Sequence, residues 1–332
     1  MFDDFSFLEH TRRHARGLDA PIAATLAGGA RAELSDVGVL KIEPSVPGDT
    51  DLVISSGVHG NETAPIEIVE GLASELLRGE LVPRNRTLLI IGNPIAMIKG
   101  RRFDIENLNR LFNGKHAGLD HHEARRAARL EAAVREFYEA GRGETRRHYD
   151  LHTAIRGSVH KKFAIYPYPD GRPWDKSQLE FFLSSGIDTI LLGHQPSGTF
   201  SYFTSHQFEA HGFTVELGQV RPFGENDMAE FAAITGNLRR LIAGEPVPRK
   251  PFDNADFNLF EVIAELIKKS ENFRLNFPED GKNFTEFKAG YQLTEDIDGG
   301  YRIERDGDAI VFPNSKVPVG QRVALIVRQT EI

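Results

Sequence analysis

Six short runs rich in apolar residues constrain the fold most: Val37–Ile42, Leu52–Ser56, Thr87–Ile91, Phe163–Tyr166, Thr189–Leu192 and Phe213–Leu217. Several are almost continuously apolar rather than alternating. A strand of that kind must be covered on both faces, as in the inner strands of an α/β sheet. Helical patterns lie between the runs. Leu130, Val134 and Phe137 recur at helical spacing, with Gly141 as a stop. Met228, Phe231, Leu238, Leu241 and Ile242 outline a helix from near Asn226 to just before Gly244. The alternation predicts one α/β/α sandwich of about 250 residues. The segment Glu245–Pro251 holds three prolines in seven residues and reads as a stiff connection. Beyond it, Phe260, Ile263 and Ile267 predict a helix. Closely spaced strands follow at Tyr291–Ile297, Tyr301–Arg305, Ala309–Phe312 and Val323–Val327. The expected organisation is an α/β/α domain over residues 1–250 and a small C-terminal β-rich domain over 251–332.

The chain has no cysteine, which removes disulfides, thiolate metal sites and cysteine nucleophiles. A metal would have to be held by His, Asp or Glu. With 40 basic against 48 acidic residues the net charge is −8, which argues against nucleic acid as a partner. A small anionic substrate needs only local arginines. No apolar run approaches the ~20 residues of a membrane span. The opening MFDDFSFLEH lacks an apolar signal region, so a cytoplasmic location is expected. No nucleotide-binding loop and no G-x-S-x-G elbow is found. No oligomeric state is legible, and a homo-oligomer stays open.

All 12 histidines lie at or before His211. His10, His14, His121 and His122 sit in charged helical stretches and read as solvated. His116, His148, His160, His194, His206 and His211 have no partnered context. His59 and His152 differ. In DLVISSGVHGNE an apolar strand ends and His59 and Glu62 follow on a turn flanked by Gly57 and Gly60. Open α/β sheets place ligands at that edge. The glycines are expected to relieve crowding where the backbone nears a metal. Tyr149-Asp150-Leu151-His152-Thr153 looks like a second strand end delivering a histidine, with Asp150 able to orient a ligand. Two histidines and one glutamate are the ligand count of catalytic zinc, with a fourth position left open. Glu216, in the apolar strand FTVELG, is costly to bury unless paired or functional. GRRFDIENLNRLF carries three arginines suited to carboxylates and oxyanions.

The motifs HGNETAPIE, GRRF-x5-LNRLF, DLHTA and VELGQ occur in this order and together resemble the succinylglutamate desuccinylase/aspartoacylase family, within the zinc carboxypeptidase-like fold. The resemblance spans nearly the whole chain. It implies one zinc ion per chain on His59, Glu62 and His152, and Glu216 as the general acid/base. It implies that Arg102 polarises the scissile carbonyl and that Asn109 and Arg110 hold the substrate carboxylate. Tyr202 and Tyr291 correspond to further substrate contacts. The activity implied is hydrolysis of the amide of N-succinyl-L-glutamate, the last step of arginine breakdown through the succinyltransferase route. The same chemistry on another N-acyl amino acid or a peptide C-terminus is the alternative.

Overall fold

The protein is described here by a computed structural model covering residues 5–332; the acidic opening at residues 1–4 lies outside the described residues. In chain order the first elements are α1 (Phe7–Arg13), β1 (Ile22–Thr25), β2 (Arg31–Asp36), β3 (Val39–Glu43), β4 (Thr50–Ser56), α2 (Thr63–Leu77) and β5 (Arg86–Ile91). Then come α3 (Pro94–Ile98), α4 (His122–Ala140), β6 (Thr145–Ala154), β7 (Phe163–Tyr166), α5 (Lys176–Ser184), β8 (Thr189–Leu192), α6 (Phe200–Phe208), β9 (His211–Gln219) and α7 (Ala232–Ala243). Five of the six apolar runs fall on strands, and the sixth, Val37–Ile42, begins in the turn between β2 and β3 and continues as β3. β4 is parallel to β5 and β6, β6 is parallel to β9, and β7 turns antiparallel against β9. The sheet is therefore mixed.

Both faces are covered, as continuous apolar strands require. Leu52 and Ile54 of β4 pack into one core with Ile66 and Val69 of α2 and Leu238 of α7. Val53, between them, points into the opposite core with Leu130 and Val134 of α4 and Phe203 of α6. The metal-binding candidates sit where β4, β6 and β9 run out, between these two helical layers.

The C-terminal segment comprises β10 (Asn258–Ile267), β11 (Arg274–Leu275), β12 (Thr285–Glu286), β13 (Thr294–Glu295), β14 (Ala309–Val311) and β15 (Arg322–Gln329). The helix expected around Phe260, Ile263 and Ile267 is instead strand β10. It pairs parallel with β8 and antiparallel with β15, so the central sheet runs on into this segment. A register shift between Val262 and Ala264 explains the misleading pattern. Phe260 packs with Phe163 and Val327, whereas Leu266, beyond the shift, packs with Ile303 and Ile326. The bulge breaks the two-residue alternation, and the broken alternation mimics helical spacing. The run at 301–305 is not a strand either; Arg302 makes only an isolated bridge to Gln292.

One buried cation ties four elements together. The Arg86 guanidinium forks onto Glu43 at 2.7 and 2.9 Å, and donates to Asp51 at 2.8 Å and to the Phe137 carbonyl at 3.0 Å. Its charge also lies 4.4 Å over the Phe137 ring. Gly141, the expected helix stop, has an ordinary φ of −74°. Its role is steric, because a Cβ there would meet Asp51 Oδ2 at 1.8 Å and Arg86 Nη1 at 2.3 Å. Arg86→Ala would strand the buried Asp51 carboxylate, and denaturant unfolding is expected to show a loss of about 3–5 kcal/mol. A loss under about 1 kcal/mol, the value of a surface ion pair, would contradict this placement.

Candidate metal centre

His59 and Glu62 are delivered by the turn after β4. That turn lies hard against α3: a Cβ on Gly60 would meet the Met97 backbone nitrogen at 2.1 Å, and one on Gly57 would press on Ile66 and Ile91. Both glycines thus relieve packing against protein. The Gly60 N–H also donates to the Arg102 carbonyl at 3.1 Å, which draws the arginine-rich loop to the site. Glu123, fully buried at the start of α4, accepts from the backbone N–H groups of Asp104, Ile105 and Glu106 at 2.7, 2.9 and 2.8 Å and so shapes that loop.

The structure brings His59, Glu62 and His152 into one buried group. His59 Nδ1 lies 3.2 Å from His152 Nδ1, and the Glu62 carboxylate lies 2.8 Å from each. Donors about 2.0–2.1 Å from a tetrahedral zinc stand about 3.3 Å apart, so the three atoms fit one small divalent ion. The outer nitrogens point the same way. His59 Nε2 donates to Asn107 Oδ1 at 2.9 Å, and His152 Nε2 donates to Asp150 Oδ2 at 2.9 Å. Both Nδ1 lone pairs are thereby turned to the centre. Asp150 orients His152, a choice the sequence left open. Asn107 was not foreseen; only its place in the same polar loop could have signalled it.

Behind Asp150 runs a further buried chain. The Ser55 hydroxyl donates to Asp150 Oδ1 at 2.6 Å and lies 2.8 Å from His148 Nε2. His148 Nδ1 lies 2.9 Å from the Thr204 hydroxyl. Burial lowers His148 to about 4, so the ring is neutral. Ser55 spends its proton on Asp150, so His148 Nε2–H donates to Ser55, while the Thr204 hydroxyl donates to the Ser201 carbonyl at 2.9 Å. The expectation that His148 lacks partners therefore fails. His206 too has one, in Asp170 at 3.0 Å.

Burial first, then the Arg102 charge, lowers His59 to about 4, leaving its ring neutral, as a metal ligand must be. Burial opposes the charge on Glu62, but His59, His152 and Arg102 outweigh it and hold the carboxyl well below the usual range. Burial also opposes charge on His152, yet Asp150 and Glu62 hold it well above the usual imidazole range. An incoming cation must therefore displace a proton from His152. Glu216 pairs in register with His152 across β6 and β9. Its Oε2 is buried with no hydrogen-bond partner among the described residues, and burial followed by the Glu62 charge raises the carboxyl to about 7.

Arg102 donates to Glu62 Oε1 at 2.6 Å. Asn109 is nearby but spends its Oδ1 on the Phe200 N–H at 2.9 Å, at the start of α6, leaving its amide N–H groups to offer. Arg110 is open to solvent yet surrounded by protein, and burial followed by the charges of Arg322 and Arg102 pushes it down to about 10. Tyr202 and Tyr291 are not brought to the group. The Tyr202 hydroxyl donates to Asp170 at 3.0 Å and the Tyr291 hydroxyl to the Asn276 carbonyl at 2.7 Å. The outlying tyrosine of the pair, Tyr291, belongs to the C-terminal segment and stacks on Phe287.

Two outcomes test this geometry. Asp150→Asn and Asn107→Ala are each expected to weaken metal affinity ~10–100-fold in chelator competition. Because His152 must lose its proton, apparent affinity is expected to rise about tenfold per pH unit below its pKa; a pH-independent affinity would contradict the proton assignment.

Comparison with known proteins agrees with the geometry. Residues 49–242 match the succinylglutamate desuccinylase/aspartoacylase catalytic domain, and residues 255–330 match the barrel-sandwich hybrid domain of the same family. The succinylglutamate desuccinylase of Shewanella amazonensis is 45% identical over 97% of this chain and 94% of its own length. That of Idiomarina loihiensis is 45% identical over 98% of this chain and 96% of its own. The crystal structure of the Chromobacterium violaceum succinylglutamate desuccinylase superposes with a TM-score of 0.88 at 38% identity, covering 98% of both chains. Murine aminoacylase 3, at 16% identity and a TM-score of 0.56, shares the fold. With its catalytic domain matched, its C-terminal domain matched and His59, Glu62 and His152 converging, the chain belongs to the succinylglutamate desuccinylase/aspartoacylase family.

Proposed function

We propose that the protein hydrolyses N-succinyl-L-glutamate to succinate and L-glutamate, using one zinc ion per chain. The observation that carries this reading is the buried Glu216 carboxyl beside a His–Glu–His group, with its Oε2 unpartnered among the described residues. Full-length similarity to proteins named for this substrate supports it. His59, Glu62 and His152 would hold the ion. When bound, zinc supplies Lewis-acid polarisation of the amide carbonyl and an acidified water.

The remaining steps fall to the protein's own side chains. Glu216 accepts a proton from the attacking water and returns it to the departing glutamate nitrogen. Its raised pKa suits both halves of that exchange, because a carboxyl near 7 gains and loses protons with little penalty. A bound dication moves that value downward, so the acid limb of the pH–rate profile lies at or below it. Arg102 faces the developing oxyanion. Arg110, with the amide N–H groups of Asn109, offers donors to a glutamate carboxylate. The substrate partner is thus a small polyanion. The reading includes a cytoplasmic setting and a place at the end of arginine breakdown.

A panel of N-acyl amino acids tests substrate choice: N-succinylglutamate is expected to have the highest kcat/KM, and preference for N-acetylaspartate would contradict it. Glu216→Gln is expected to retain the metal while turnover falls ~10²–10⁴-fold. Arg110→Ala should weaken substrate binding by ~2–5 kcal/mol, and an unchanged KM would remove Arg110 from the site.

A further inference from the structure

Past the end of α1, a cavity of about 400 Å³ opens against α4 and the start of α3. That volume lies in the range of small-molecule sites. None of His59, Glu62, His152, Arg102, Arg110 and Glu216 lines it, so it is a site apart from the metal centre.

One side of α4 forms the main wall. His122, Arg125, Arg126 and Arg129 stand at i, i+3, i+4 and i+7, which places them on one face of the helix. Arg16, from the segment after α1, lines the same cavity. No carboxylate among the described residues does. In a chain of net charge −8 this is a local reversal of field.

Like charges at helical spacing repel, so such a stripe is unfavourable unless anions offset it. Two carboxylates behind the wall do so in part. Asp36 accepts from Arg126 at 3.1 Å and from Arg129 at 3.4 Å, and Asp120 accepts from Arg125. Arg16 has no hydrogen-bond or ion-pair partner among the described residues. Four guanidinium groups thus meet two carboxylates. His122 is also underused. Its Nε2 is buried with no hydrogen-bond partner among the described residues, and lies 3.6 Å from Asp104 and 3.8 Å from Glu123. Both are beyond hydrogen-bond reach.

The floor of the cavity is already fixed. Arg126 is buried and donates to the carbonyls of Gly92, Val37 and Ile91 at 2.7, 2.8 and 3.0 Å. Asn93 accepts the Ala96 N–H at 3.2 Å and donates to the buried Glu123 carboxylate at 3.2 Å. A site whose parts are held before binding loses little freedom when it is filled. The rest of the lining is Ala15, Pro94 and Ile95, which offers an apolar wall beside the charges.

We propose that this cavity binds a small organic phosphomonoester, with Arg16 and Arg125 on the phosphate and the Ala15, Pro94 and Ile95 wall against the organic body. A phosphomonoester carries a charge of about −1.5 to −2 near pH 7, which matches two surplus guanidinium groups. Its three terminal oxygens accept from several guanidinium forks at once, where a carboxylate has two. The volume and the apolar wall call for more than a bare phosphate.

The test is calorimetric titration of the metal-loaded protein with ribose 5-phosphate, AMP and inorganic phosphate, with ribose as the uncharged control. At least one ester is expected to bind about fivefold more tightly than inorganic phosphate, the contribution of the apolar wall. The tighter of the two identifies the body as a sugar or a nucleoside. The Arg16→Ala/Arg125→Ala variant is expected to bind that ester at least about tenfold more weakly, having lost two charge-assisted contacts. Both side chains are exposed, so the fold is not at risk. Arg110→Ala is expected to leave the affinity unchanged. Equal affinity in wild type and the double variant overturns the proposal, as does a loss in Arg110→Ala alone, which would put the phosphate at the metal centre. Inorganic phosphate binding as tightly as both esters, or no binding by any of the three, overturns it too. None of these readouts involves amide hydrolysis, so the outcome is separate from that of the deacylase reading.

Discussion

Removing a carboxylate and two imidazoles from water is unfavourable unless each finds an opposite charge or a hydrogen bond. Glu62 is buried with His59 and His152 at the ends of the central strands, and the rest of the site is organised around that cost. Asn107 and Asp150 take the outer ring nitrogens, Arg102 takes one oxygen of Glu62, and the Thr153 N–H takes the other at 3.1 Å. Glu216 is the exception. It is left buried with one oxygen unmatched, in register with His152. A carboxylate held in that way is poised to exchange a proton rather than to stabilise the fold.

The scaffold meets these demands through strand register. β4, β6 and β9 are parallel neighbours, so their carboxyl ends emerge at one edge and deliver the ligand turn, His152 and Glu216 together. Apolar cores on both faces hold that register. The arginine loop has no strand to hold it and depends on Glu123, which binds three successive backbone N–H groups. The C-terminal segment is joined to the sheet through β8 and β10, and it places the Arg322 charge near Arg110.

Much of this was legible in the sequence. Buried strands are written as apolar runs, and each of the six runs holds a strand. The candidate metal group was legible because His59-x-x-Glu62 follows such a run and His152 lies on a second segment that looks like a strand end. What failed did so for physical reasons. A bulge in β10 disguised a strand as a helix, since spacing alone does not show which residues a register shift turns over. Gly60 reads as a metal-site glycine, and the close packing of α3 on it is not legible in the sequence. Asn107 and Asn109 are two residues apart in a polar loop, and nothing in their composition tells which one meets His59. Tyr202 and Tyr291 carry hydroxyls whose partners, Asp170 and the Asn276 carbonyl, lie far along the chain.

The central claim is that three side chains form one metal site with both imidazoles bound through Nδ1. The most direct measurement is a crystal structure of the zinc-loaded protein with anomalous data at the zinc edge. The account predicts one peak per chain, about 2.0–2.2 Å from His59 Nδ1, His152 Nδ1 and a Glu62 oxygen. A peak that misses any of the three, or that meets either imidazole at Nε2, would contradict it.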